Sequence, residues 1–351
     1  MFYTIKKVDE HPCNDMQKVL KVFFKELLTG NAWDIDNQHE IVKRIHASST
    51  FPSSLQLLHN DLIARNEIIR HTLYKQFVNN NNILELCNNT LELDSFFHWD
   101  IDIGKKIKDF MLSCYPTKLD LSVFRKASCS IDPTKSFYQD FIERNGYVCP
   151  FCSILPHKHP FGKKRGDFDH FILKDKYPLA ALNINNLIPM CTECNQDYKH
   201  MDNILINEYG DRRKFIYPYD LKEPLNIKIN SLVFSEKKWK YDISIIHSDL
   251  EEEVIRNYDK VFKVESRIKR ELTKNHDSWL VEEAKRYVSG STTITIIGFK
   301  SHLLNIANNV IDLRNRILAA KLLESSLYRY LGTTVDYEID NIFLPSYLAR
   351  Y

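Results

Sequence analysis

Glycine is scarce, at 9 residues in 351, and proline contributes only 12. A collagen-like chain is therefore excluded. No apolar run approaches the roughly 20 residues that a membrane helix needs. The first ten residues, Met1 to Glu10, hold no apolar core of signal-peptide length. An excess of one charge sign is missing too, since 48 Lys+Arg against 46 Asp+Glu leaves +2. That balance excludes a histone-like binder, so any contact with nucleic acid has to come from local patches. There is no internal repeat, and no low-complexity tract beyond the four asparagines 79–82. These absences point to a cytoplasmic protein with no membrane partner. The 44% hydrophobic and 27% charged residues are ordinary for a globular chain. The length suggests two or three domains of roughly 100–200 residues each.

Eight cysteines are present. Cys13, Cys87, Cys114 and Cys129 stand alone and read as small hydrophobes. The other four form two pairs, Cys149-Pro-Phe-Cys152 and Cys191-Thr-Glu-Cys194. Two such knuckles are the usual frame for a tetrahedral four-thiolate zinc site. The 38 residues between Cys152 and Cys191 are too many for a simple zinc ribbon, so something else is folded between the knuckles.

The patterning divides the chain at 1–145, 146–220 and 221–351. The first part reads as helical. Asp15 is placed to cap a helix with apolar positions Met16, Val19, Leu20, Phe23, Phe24, Leu27 and Leu28, stopped by Gly30. A second amphipathic stretch spans 54–78 and breaks at the asparagine tract, and further helices are expected at 103–113 and 136–144, the last ending at Gly146. After the cysteine region, alternation over 225–229 and 231–246 predicts strands with a turn at Asn230-Ser231. Helices follow over 249–275, 279–288 and 300–330, with a break at Gly290. The fold class is α+β, mainly helical, with a small strand region towards the C-terminus.

The insert between the knuckles contains Asp169-His170-Phe171, Tyr177-Pro178 and Asn186-Leu187-Ile188-Pro189, and the second knuckle runs into Asn195 and then Lys199. In this order the segment resembles the HNH endonucleases, whose active site is the ββα-metal motif, over roughly 50 residues. Its longer pattern, with Tyr217-Pro218-Tyr219-Asp220 after the site, is similar to a subgroup found among bacterial anti-phage and restriction proteins. Two positions depart from the pattern. Asn195 replaces the final His, which favours an oxygen-ligated Mg²⁺ or Mn²⁺, and Ile172-Leu173-Lys174 stands where the subgroup has a proline.

The resemblance implies a metal-dependent endonuclease acting on nucleic acid, DNA in the first place, and by analogy a subunit working with an ATPase partner. It assigns structural zinc to Cys149, Cys152, Cys191 and Cys194. Asp169 and Asn195 would ligate Mg²⁺ or Mn²⁺, His170 would be the general base, and Asn186 would orient its imidazole through a hydrogen bond. Asn183 and Asn185 are alternatives to Asn186, which the following Leu187 favours. The residue types suit the chemistry: an imidazole titrates near pH ~6.5, and phosphodiester hydrolysis needs an activated water and a cation on the phosphate. Adjacent strand residues face opposite ways, so Asp169 and His170 can share one site only with local distortion. The loop 157–166 carries Lys158, Lys163, Lys164 and Arg165 and no acid, which suits backbone phosphates. Lys199 and the run Arg212-Arg213-Lys214 are further candidates for phosphate contact, while His157 and His159 read as loop residues. The rival reading is a zinc-framed module that binds nucleic acid or protein without catalysis.

Overall fold

The computed structural model describes residues 4–33, 40, 43–44, 51–93, 101–115, 119, 121–162, 166–235, 238–312 and 319–351. Among these, helices combine with two small antiparallel sheets, an α+β architecture. The chain forms two compact units: Lys6–Arg144 with Lys158–Asp220, and Met1–Ile5 with Asn145–His157 and Leu221–Tyr351. Among the described residues, no helix is long and apolar enough to cross a membrane.

In the first of these units, helix α1 (Asp15–Thr29) buries Met16, Val19, Leu20, Phe23, Phe24 and Leu27 and ends at Gly30, whose φ of 74° is left-handed. Asp15 does not cap it. It lies inside the first turn, where its carboxylate accepts from Lys18 at 2.6 Å. The stretch 54–78 is two helices, α2 (Phe51–Ile63) and α3 (Glu67–Asn81). Asn66 makes the break, because its side chain accepts the Ile69 N–H at 2.9 Å and starts a new helix. The asparagine tract is not the expected loop, since α3 runs on through Asn81. Asn81 donates to Phe77 O at 2.8 Å and Leu179 O at 3.1 Å, so its amide finds partners within the helix and beyond it. Phe24 of α1 stacks on Phe77 of α3 at 4.4 Å and joins their apolar faces.

Short helices α4 (Ile83–Cys87) and α6 (Ser122–Ala127) flank α5 (Ile101–Cys114), and α7 (Pro133–Asn145) ends where Gly146 takes φ 87°. Strands β1 (Asp167–His170) and β2 (Leu187–Met190) pair antiparallel, with Asp169 opposite Ile188 and His170 opposite Leu187. Gly166 leads into β1, and a Cβ there would collide with the ring of Tyr138. That ring cannot give way, because Tyr138 is fully buried and its hydroxyl donates to Lys158 O at 2.7 Å. Gly166→Ala is expected to lower stability by about 1–3 kcal/mol, the usual cost of overpacking. Chemical denaturation measures it, and an unchanged midpoint would contradict the contact.

The same unit holds a buried histidine, His11, whose Nδ1 accepts the Cys13 N–H at 3.2 Å. Burial lowers its pKa from 6.5 to about 4. The unfolded chain takes up this proton near pH ~6.5, while the folded chain refuses it down to about 4. The contribution is thus complete above ~6.5 and is lost as the pH falls towards 4. His11→Gln is expected to flatten the urea midpoint against pH across that window. A profile as steep as wild type would assign the slope to other groups.

In the second unit, Asn230-Ser231 is not a turn. Strand β3 (Asn226–Ser235) continues through it with a bulge between Ile229 and Ser231 and pairs with β4 (Lys238–Ile246). A bulge absorbs the one-residue slip while keeping Ile229 and Leu232 on the buried face. Strand β4 packs on α9 (Val264–Gly290). The expected helix 249–275 divides at Lys263, where φ is 50°, into α8 (Glu252–Phe262) and α9, and 279–288 belongs to α9. The Asp259 side chain accepts the Glu265 N–H at 2.8 Å and fixes that corner. Helices α10 (Ile296–Asp312), α11 (Ala319–Thr333) and α12 (Leu344–Leu348) complete the unit.

Candidate functional site

All four paired cysteines are buried, and their sulfurs lie within 4.8 Å of one another. A zinc–sulfur bond of about 2.3 Å requires sulfurs roughly 4 Å apart in a tetrahedron. The cluster therefore has the size and donor chemistry to hold a metal ion such as zinc. Each knuckle is a tight turn with an amide aimed at sulfur: Ile154 N–H at Cys152 Sγ, 3.5 Å, and Cys194 N–H at Cys191 Sγ, 3.4 Å. Such bonds stabilise the thiolate form that a metal needs. The first turn requires φ 52° at Ser153 and is closed by Cys149 N–H to Leu155 O at 2.9 Å. His157 is not an open loop residue. It is buried, its N–H meets Tyr147 O at 2.6 Å, and burial lowers its pKa to about 4 against the pull of Cys152. His159 is exposed.

From the second knuckle the chain enters a wide π-helical turn, Glu193–Lys199. Asn195 is half-buried on it, and its side-chain amide makes no hydrogen bond among the described residues. Lys199, at the far end, is not placed for phosphate contact. It is wholly buried, with Nζ 2.6 Å from Asp169 Oδ2 and 3.1 Å from His170 O. One ammonium thus ties the π-helical turn to the end of β1. Burial pushes the Asp169 carboxyl above its usual range, and the Lys199 ammonium opposes that shift. Breaking such a buried pair costs about 3–5 kcal/mol, because one charge is left uncompensated. The Asp169 side chain keeps 11% of its surface exposed.

His170 is buried, and its Nε2 lies 3.0 Å from Ala181 O. A carbonyl only accepts, so Nε2 carries the proton and Nδ1 keeps the lone pair. Burial lowers the imidazole pKa to about 3, with Lys174 and Lys199 adding to the shift. The ring of Tyr115 stands edge-on to His170 at 4.5 Å.

Asn186 is fully buried, and it does not reach the imidazole as expected. Its Oδ1 accepts Ile172 N–H at 2.8 Å, and its Nδ2 donates to Ile172 O at 3.1 Å and Ala180 O at 3.3 Å. Both N–H donors are thereby occupied by backbone. Its bond to Ala180 O ties it to the segment that carries the Ala181 carbonyl. The alternatives have other tasks: Asn183 donates to Asn81, and Asn185 O accepts from Tyr217 OH at 3.0 Å. That bond gives the Tyr-Pro-Tyr segment its place, under the loop between the strands.

Lys163, Lys164 and Arg165 lie outside the described residues. Arg212 and Arg213 are not an open basic run. Arg212 binds Asn89 Oδ1 and the carbonyls of Leu86 and Leu91, and Arg213 binds those of Asn203 and Ile204. Tyr115, Ala181 and the inward turn of Lys199 escaped sequence reasoning. Lys199 alone had a signal, its spacing of four residues from Asn195 on one helical segment.

No family model matches the chain. No solved structure matches it. The chain is similar to Protein ea31 of Escherichia phage lambda, with 26% identity over 109 residues, 31% of this chain and 30% of that protein. It spans less than a third of that relative's length.

Proposed function

We propose that the chain is a metal-dependent endonuclease of the HNH type. What supports this reading is one arrangement: an Asp-His pair at the end of β1, joined through Lys199 to the segment that presents Asn195. Strand, strand and helical turn follow one another around it in the order the motif requires.

The chemistry falls to few groups. His170, held by Ala181 O, offers Nδ1 to take a proton from the attacking water. Asn186 fixes the loop that positions that carbonyl. Asp169 and Asn195 are hard oxygen donors suited to Mg²⁺ or Mn²⁺. Such an ion, when bound, stabilises charge on the phosphate and on the leaving oxygen. The four thiolates would hold structural zinc.

A second reading draws on the burial of His170. An imidazole with a pKa of about 3 is a weak base for water at neutral pH, which favours a module that binds nucleic acid without cutting it. Incubation with plasmid, linear duplex, single strands and RNA, with and without Mg²⁺ or Mn²⁺, separates the two. Metal-dependent cleavage supports the nuclease. Retained binding with no cleavage under any condition supports the binding module.

A further inference from the structure

The charges around Asp169 and His170 do not cancel. Lys199 is consumed internally by Asp169, at 2.6 Å. Asp175 pairs with Lys108 at 3.6 Å. Lys174, half-buried on the turn after β1, makes no ion pair or hydrogen bond among the described residues. Its Nζ stands over the Tyr115 ring, 5.3 Å from the centroid. The same ring meets the His170 imidazole edge-on at 4.5 Å. One aromatic side chain thus touches both the ammonium and the imidazole, and the charge of Lys174 acts on both Asp169 and His170. A ring face holds a cation without neutralising it, so the charge stays available to an anion.

We infer that Lys174 is a phosphate-binding residue of this site, receiving the backbone of nucleic acid beside His170 on a platform made by Tyr115. The inference rests on the nuclease reading for the identity of the anion, a phosphodiester. With Asp169 paired to Lys199 and Asp175 to Lys108, the charge of Lys174 is left to attract a polyanion. Because Lys199 is enclosed, Lys174 takes the role that sequence spacing had suggested for Lys199.

The test uses the full-length, zinc-retaining protein and a fluorescent DNA duplex, with no Mg²⁺ or Mn²⁺ added. Binding is measured by anisotropy over a range of salt concentrations. Lys174→Ala is expected to weaken binding about three- to tenfold. It is also expected to reduce the slope of log K against log salt by about 0.9, the value for one phosphate contact. Lys174→Arg should keep both values near wild type, and Lys174→Met, which preserves the stem, should behave like the alanine variant. Unchanged affinity and slope in both neutral variants would overturn the inference. If wild type cleaves in Mg²⁺ while those variants bind normally, the nuclease reading stands and only the role of Lys174 falls. If wild type binds the duplex through Lys174 but never cleaves, Lys174 keeps its role and the catalytic reading falls. Absence of any binding by the wild type would overturn both.

Discussion

Protein with Cys149 or Cys194 exchanged for serine is expected to lose its zinc, which elemental analysis should find at one per chain in wild type. Four-thiolate zinc contributes about 10–16 kcal/mol of apparent binding free energy, against about 5–15 kcal/mol for the net stability of a whole domain. The knuckles offer little to replace it. The first turn is held by short-range bonds such as Cys149 N–H to Leu155 O, and it contains the strained Ser153. The four buried sulfurs lie within 4.8 Å of one another, so a single ion would tie the two knuckles together. Limited proteolysis should therefore cut first within 146–200. That segment carries Asp169, His170 and Asn195, so the candidate site is lost with it. Uniform protease resistance, or well-folded wild type without zinc, would remove the structural role.

On the proposed nuclease reading, His170→Ala is expected to lose nearly all cleavage while zinc content and nucleic-acid binding persist. Loss of a general base typically costs about 10²–10⁴ in rate, so a small residue of activity is measurable. Asp169→Ala should act differently. It removes the anion that neutralises the wholly buried Lys199, so stability falls along with metal dependence. Asn195→Ala removes a neutral, half-buried amide, and excess Mg²⁺ or Mn²⁺ should restore part of its activity. Asn186→Ala keeps the base but frees the Ile172 and Ala180 backbone groups, so its cleavage defect should be milder than that of His170→Ala and accompanied by a lower melting temperature. Wild-type cleavage by His170→Ala would place the chemistry elsewhere or leave only the binding module.

The legible parts of the fold share one property: their signals are local. The apolar spacing of α1 and the stop at Gly30 are set within one helix, and a left-handed glycine needs no distant partner. The two knuckles were legible for the same reason, since cysteine spacing constrains a turn directly. The errors in the helices arise from side chains that bond to backbone. Asn66 caps a new helix where the apolar pattern ran on, and Asn81 keeps α3 intact through its bond to Leu179 O, 98 residues away. At β3, alternation is interrupted at Asn230-Ser231 in the same way for a turn as for a bulge. Only pairing with β4 decides between them.

The candidate site divides along the same line. Residue types and spacing by themselves brought out the two cysteine pairs, and the resemblance to the HNH endonucleases singled out Asp169, His170, Asn186 and Asn195. These are properties of chain order, and no contact is needed to see them. Tertiary structure alone decided what each group does. It turned Lys199 inward to Asp169, withdrew the His170 imidazole to a pKa of about 3, gave Asn186 to the backbone, and brought both His170 and Lys174 against the ring of Tyr115. The physical reason is that charge state and hydrogen-bond partnership depend on burial and on distances of 3–5 Å between segments far apart in sequence. A sequence records which groups are present, and packing determines which of them remain available to a ligand.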